Sequence, residues 1–275
     1  MRKMISFLIL LILPSVVLGG TISLTTSITT DKFTSEGGII EVSLANYGDE
    51  PAYNTQLSII SDYFSADPVN VGILGINNPI TKNITLKSKN VLKDGNYPVV
   101  LLVEYTDANG YPFSSVSPIN IIYKNSYPSR ITGAFESIEV DGNRPKNLVM
   151  KLKNMDQVDH NIKVKLVLPN ELSSDETEKS ISIKSKEEKS IIFKVSNFAG
   201  IPGSSYVVLG IIEYEDEYQH SSISSGIVKI VEGKSLFKPS KIVIFSIVGV
   251  LLLMLILYQL KGKIEVKVSG KKKKS

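Results

Sequence analysis

The chain has 275 residues, 43% of them hydrophobic, with a formal net charge of +4 and no cysteine. Residues 1–20 hold +2 and residues 261–275 hold +6, so residues 21–260 come to −4, and a mildly acidic main body argues against nucleic acid as a partner. Without cysteine no disulfide can staple a small module, so folding must rest on buried apolar surface, which favours domains of about a hundred residues.

Residues 1–20 read as a secretory leader. Arg2 and Lys3 form a positive start, Phe7 to Leu13 make an apolar run that resumes at Val16 to Leu18, and Gly19-Gly20 offers small residues for cleavage. The run is short for a spanning helix, so cleavage near Gly20 is expected.

From Thr21 onward short alternating runs are separated by turn residues. Ile22 to Ile28, Gly38 to Leu44, Tyr53 to Ile59, Val69 to Ile76, Thr81 to Leu86, Tyr97 to Tyr105 and Phe113 to Tyr123 read as strands. Asn46 to Pro51, Asp94 to Asn96 and Asp107 to Gly110 read as turns. About seven strands in a hundred residues is the count of an immunoglobulin-like sandwich. Residues 21–124 are therefore expected to form a first β-sandwich domain.

Asn125 to Ser129 reads as a linker, and residues 130–232 repeat the pattern as a second β-sandwich domain. Its expected strands are Ile131 to Val140, Leu148 to Leu152, Ile162 to Leu168, Lys179 to Ile183, Lys189 to Val195, Gly203 to Tyr214 and Ser221 to Val231. Leu44-Ala45-Asn46 corresponds to Leu152-Lys153-Asn154 at an offset of 108 residues. Val103 to Asp107 corresponds to Ile212 to Asp216 at an offset of 109. Two distant matches at nearly one offset imply a duplicated domain.

The words LANYGDEPAYNTQLSI, Asp94-Gly95-Asn96-Tyr97 and VEYTDANGYPFSSVSPINI resemble archaeal S-layer-related extracellular domains of the CARDB type. The resemblance covers Thr21 to Glu232 as two copies, the second lacking the glycine of the first at Asn154-Met155-Asp156. It implies repeated β-sandwich modules on surface or secreted proteins, serving adhesion, spacing or assembly, and carries no catalytic residues.

Candidate chemistry is sparse. His160 and His220 are the only histidines, and the repeat gives them no reason to meet. Asp107, Asn109, Asp216 and Glu217 could offer oxygens to Ca²⁺ at hairpin tips, but tight turns favour Asp and Asn in any case. No Gly-x-Ser-x-Gly elbow presents a serine nucleophile, and there is no Gly-rich phosphate loop, so neither an enzyme nor a cofactor is expected. Tyr105 and Tyr214 lie in the repeated strand and read as packing residues. Tyr47, Tyr63 and Tyr111 are turn-borne candidates for contact with a partner. Asn83-Ile84-Thr85 is an N-glycosylation sequon.

Residues 233–241 form a stalk, followed by Ile242 to Leu260, nineteen residues without a charge. As a helix that run reaches about 28 Å, close to the ~30 Å hydrocarbon core of a bilayer, so residues 242–260 are expected to be one transmembrane α-helix. The basic tail, residues 261–275, carries seven Lys and one Glu and should face the cytoplasm, leaving residues before Ile242 outside. Lys271, Lys272, Lys273 and Lys274 serve that orientation, and the alternative is that they also hold anionic lipid head groups at about 1 kcal/mol each.

The expected fold is all-β, two tandem immunoglobulin-like β-sandwich domains followed by that helix. The expected function is a membrane-anchored, non-enzymatic interaction or scaffold protein of the cell envelope, with membrane lipids and envelope proteins or glycans as partners. The alternative is an accessory single-pass subunit of a membrane transport or translocation complex, partnered by a polytopic membrane protein. Ser246 and Gly249 would then give the helix a close-packing patch.

Overall fold

The computed structural model describes residues 20–142, 144–232, 246, 249–251 and 253–254. The leader 1–19, the stalk 233–241, most of the apolar run 242–260 and the tail 261–275 with Lys271 to Lys274 lie outside the described residues. Within the apolar run, Ser246, Gly249, Val250, Leu251, Leu253 and Met254 are described as helical. Among the described residues no helix is long and apolar enough to cross a membrane.

The main body is all-β. Its first half holds β1 (Leu24–Thr30), β2 (Gly37–Asn46), β3 (Ala52–Ile60), β4 (Phe64–Ser65), β5 (Val69–Leu74), β6 (Ile80–Ser88), β7 (Gly95–Thr106) and β8 (Pro112–Tyr123). The second half holds β9 (Ile131–Phe135), β10 (Ile138–Asp141), β11 (Lys146–Asn154), β12 (His160–Val167), β13 (Leu172–Ser174), β14 (Glu178–Ile183), β15 (Glu188–Asn197), β16 (Ser205–Glu215) and β17 (Gln219–Val231).

Each half is a sandwich. In the first, the sheet β1-β2-β6-β4 faces β8-β7-β3-β5; in the second, β13-β15-β11-β9 faces β14-β12-β16-β17. Alternation drives both cores. Ile40, Val42 and Leu44 of β2 meet Val99, Leu101 and Val103 of β7 in one, and Leu148, Met150 and Leu152 of β11 meet Val208, Ile212 and Tyr214 of β16 in the other.

The stretch Ile131 to Val140, expected as one strand, is two. β9 pairs antiparallel with β11, and after Glu136-Ser137 the chain changes sheets so that β10 runs parallel to β17. The first sandwich makes no such crossing. There β1 stays with β2 along its length, and among the described residues the far edge of β8 meets a single bridge, Phe33 to Tyr123. One sandwich closes its last edge, and the other leaves it open.

The two sandwiches are pressed together by the outer faces of β7 and β16. Val100 and Leu102 on β7, with Val116 of β8 and Ile60 of β3, pack against Leu209 and Ile211 on β16, with Ile223 of β17 and Val167 of β12. Both sets come from the same places. Val100 stands opposite Ile60 and Leu102 opposite Val116, just as Leu209 stands opposite Val167 and Ile211 opposite Ile223. The seam is thus close to isologous, one surface meeting its own duplicate, as in a two-fold dimer. Burial on both faces explains why β7 and β16 are near-continuous apolar runs.

At the rim of the seam the backbones themselves join, with Gln219 N–H donating to Asp94 C=O at 3.0 Å beside the parallel pair Gln219 and Gly95. Gly95 has φ of 147°, and a Cβ there would fall 2.1 Å from the Gln219 carbonyl oxygen. Only glycine admits that approach. The described residues through Val231 accordingly belong to one compact unit.

Candidate functional site

Polar groups close the seam on both sides of its apolar centre. Tyr63, in the turn before β4, receives a hydrogen bond from Gln219 Nε2 at 3.2 Å, and Gln219 also approaches Glu213 at 3.4 Å. Burial raises the Glu213 carboxyl above its ordinary value, although the Tyr63 hydroxyl opposes the shift. The mirrored arrangement uses Asn170 and Glu171, in the turn before β13. Asn170 Nδ2 donates to Glu104 at 2.7 Å, and Glu171 accepts the Ser114 N–H and hydroxyl at 2.6 Å each. The carboxylate of Glu171 is 2% exposed and has no counter-cation among the described residues.

On this second side the seam opens into a cleft. One lobe, about 610 Å³, lies between β1, the open edge of β8 and the start of β16. The other, about 250 Å³, is walled by Glu104, Glu171, Phe198 and the end of β7. Tyr105 and Phe113, with rings stacked at 5.6 Å, belong to both. Neither lobe is lined by Lys, Arg or His, whereas Glu50 and Asp107 line the first and Glu104 and Glu171 the second. Phe198 stands 76% exposed beside the smaller lobe. Tyr206, which lines the larger lobe, is 7% exposed, and burial raises its hydroxyl above the ordinary value, with the Ile201 backbone and the Ser204 side chain opposing the shift. Burial pushes the Tyr105 hydroxyl up to about 12, and the charge of Glu171 adds to that shift.

Two of the three tyrosines expected to meet a partner meet the second sandwich of their own chain. Tyr63 is half-buried in the seam, and Tyr111 donates its hydroxyl to Ala199 C=O at 2.7 Å. Tyr47 is 62% exposed at the turn after β2. Asn83 and Thr85 lie exposed on β6, on the outward face of the first sheet, so the sequon side chain is accessible. Tyr105, read from sequence as a packing residue, packs against the first core and also walls the cleft, and Tyr214 lies in the second core.

The histidines, given no reason to meet, flank one ring. His160 lies 4.4 Å and His220 4.5 Å from Tyr214, which is 5% exposed. His160 is held by Asp156 at 3.0 Å and His220 by Asp216 at 3.1 Å, with the Tyr127 carbonyl 3.2 Å from the other His220 nitrogen. The His160 ring, with the Gln157 N–H, holds the Asp156 carboxyl below its usual value. Burial alone would raise Asp216, but the Tyr218 N–H and the His220 ring outweigh it and hold that carboxyl low as well. Asp107 is occupied by its own turn, accepting the Asn109 and Tyr111 N–H groups at 2.9 and 2.8 Å. Among the described residues no group of three or more His, Asp or Glu is arranged to hold a metal ion.

No family model and no curated protein matches the chain. Among solved structures it is similar to native Escherichia coli alpha-2-macroglobulin at 8% identity and a TM-score of 0.31, over 75% of this chain and 17% of that one. It is also similar to a Porphyromonas gingivalis W83 protein of unknown function, at 12% identity and TM-score 0.29 over 73% and 98% of the two chains. A third likeness is to a PapD-like domain of human CEP192, at 10% identity and TM-score 0.29 over 42% and 95%. The chain spans under a fifth of the length of the macroglobulin it matches.

Proposed function

We propose that the protein is a membrane-anchored, extracellular interaction or scaffold module of the cell envelope, of the kind that the resemblance to CARDB-type surface domains implies. One observation supports this reading above the others. The seam locks two sandwiches into a single body that carries an aromatic, acidic cleft built from both, a shape suited to holding a partner. The uncharged run 242–260 tethers that body, and the basic tail 261–275 sets it outside the membrane.

Membrane fractionation of cells producing the full chain, followed by protease added to intact cells, tests the reading. The protein should pellet with membranes and lose its sandwiches to protease, leaving a small membrane-held remnant. A chain that stays in the soluble fraction, or sandwiches shielded until lysis, would contradict it. Mild solubilisation separates the accessory-subunit alternative, because that reading requires a polytopic membrane protein to co-purify in fixed ratio.

A further inference from the structure

We propose that the cleft at the end of the seam binds a short extended peptide through one arginine or lysine side chain. The proposal deepens the interaction-module reading and rests on it for its biological setting. The smaller lobe supplies what a cationic side chain needs. Glu104 and Glu171 stand in its wall with no counter-cation among the described residues, and the rings of Tyr105, Phe113 and Phe198 lie beside them. Carboxylates and aromatic faces together attract a guanidinium or ammonium group, and an anionic ligand would meet only repulsion.

The larger lobe supplies what a peptide backbone needs. Among the described residues, the edge of β8 facing away from β7 carries no strand over residues 113–117. Ser114 directs its N–H away from β7, toward Glu171, so by the two-residue repeat of an antiparallel strand Val116 presents its N–H and C=O on that open side as well. Pro118 falls in the same set and, lacking an N–H, ends the pairing edge there. The pairing stretch is therefore short, which sets the ligand at a few residues. A net charge of −7 over residues 21–232, 19 Lys and Arg against 26 Asp and Glu, draws a basic segment toward this body.

Binding to the full-length chain in detergent, read by saturation-transfer NMR on acetyl-Gly-Arg-Gly-amide, tests the proposal whatever the membrane topology proves to be. The arginine peptide should bind, the Gln analogue should not, and Glu104→Gln and Phe198→Ala should each weaken binding by about tenfold. Phe198 is so exposed that its removal leaves the fold intact even if Glu104→Gln does not. Equal binding of the Arg and Gln peptides, no binding of either, indifference to both variants, or preferential binding of maltotriose would each overturn the assignment. Failure here leaves the fractionation result standing, so the two readings fall separately.

Discussion

Asn46 and Asn154 show why one residue recurs in a duplicated chain. Both are fully buried, and both tie the turn that follows their strand. Asn46 Nδ2 donates to Glu50 C=O at 2.7 Å while its Oδ1 accepts the Gly48 N–H at 3.0 Å; Asn154 repeats this with Val158 at 2.9 Å and Asp156 at 2.8 Å. The glycine present only in the first copy has a local cause, since a Cβ at Gly48 would lie 1.9 Å from the Thr21 carbonyl. Asn46→Ala should cost about 1–3 kcal/mol by leaving those partners unpaired. Tyr47→Ala, next in sequence but exposed, should change stability by no more than about 0.5 kcal/mol. Urea unfolding of both variants checks the contrast. The Asp156 and Asp216 carboxyls, each held below the ordinary value of 3.8, contribute stability that is present above about pH 4 and is lost as pH falls through their depressed folded values. Thermal midpoints measured from pH 7 down to pH 2.5 should therefore fall less steeply for Asp156→Asn than for the parent chain.

At the scale of elements, strand positions were readable because alternation is a local signal. Residues such as Ile40, Val42 and Leu44 announce a half-buried strand without reference to the rest of the chain. The crossing at Glu136-Ser137 was not readable, because what splits β9 from β10 is the availability of the β17 edge far along the sequence. The cleft was hidden for the same reason. Glu104 and Tyr105 lay inside the repeated word and were the one usable signal, whereas Glu171 and Phe198 acquire their roles only when the second sandwich folds back onto the first. Tyr63 and Tyr111 were rightly seen as turn-borne, but a sequence cannot say that the surface they meet belongs to the same chain.

At the scale of the molecule, two cores joined by a third apolar layer should unfold together. Leu209 is fully buried yet faces out of its own sandwich into the seam. Leu209→Ala should cost about 2–5 kcal/mol and uncouple the halves, so that calorimetry resolves two transitions where the parent chain shows one. A single transition in the variant at an unchanged temperature would mean that the seam contributes nothing. The account as a whole depends on this paired body standing on the outer side of a membrane, held by residues 242–260. The chain contains no cysteine, so single cysteines report location without background. Val91, 97% exposed in the turn before β7, and Ser275 in the tail are the two sites to compare. In intact cells a membrane-impermeant maleimide should label Val91→Cys and leave Ser275→Cys unlabelled until the membrane is opened; the reverse pattern, or equal labelling of both, would contradict the account.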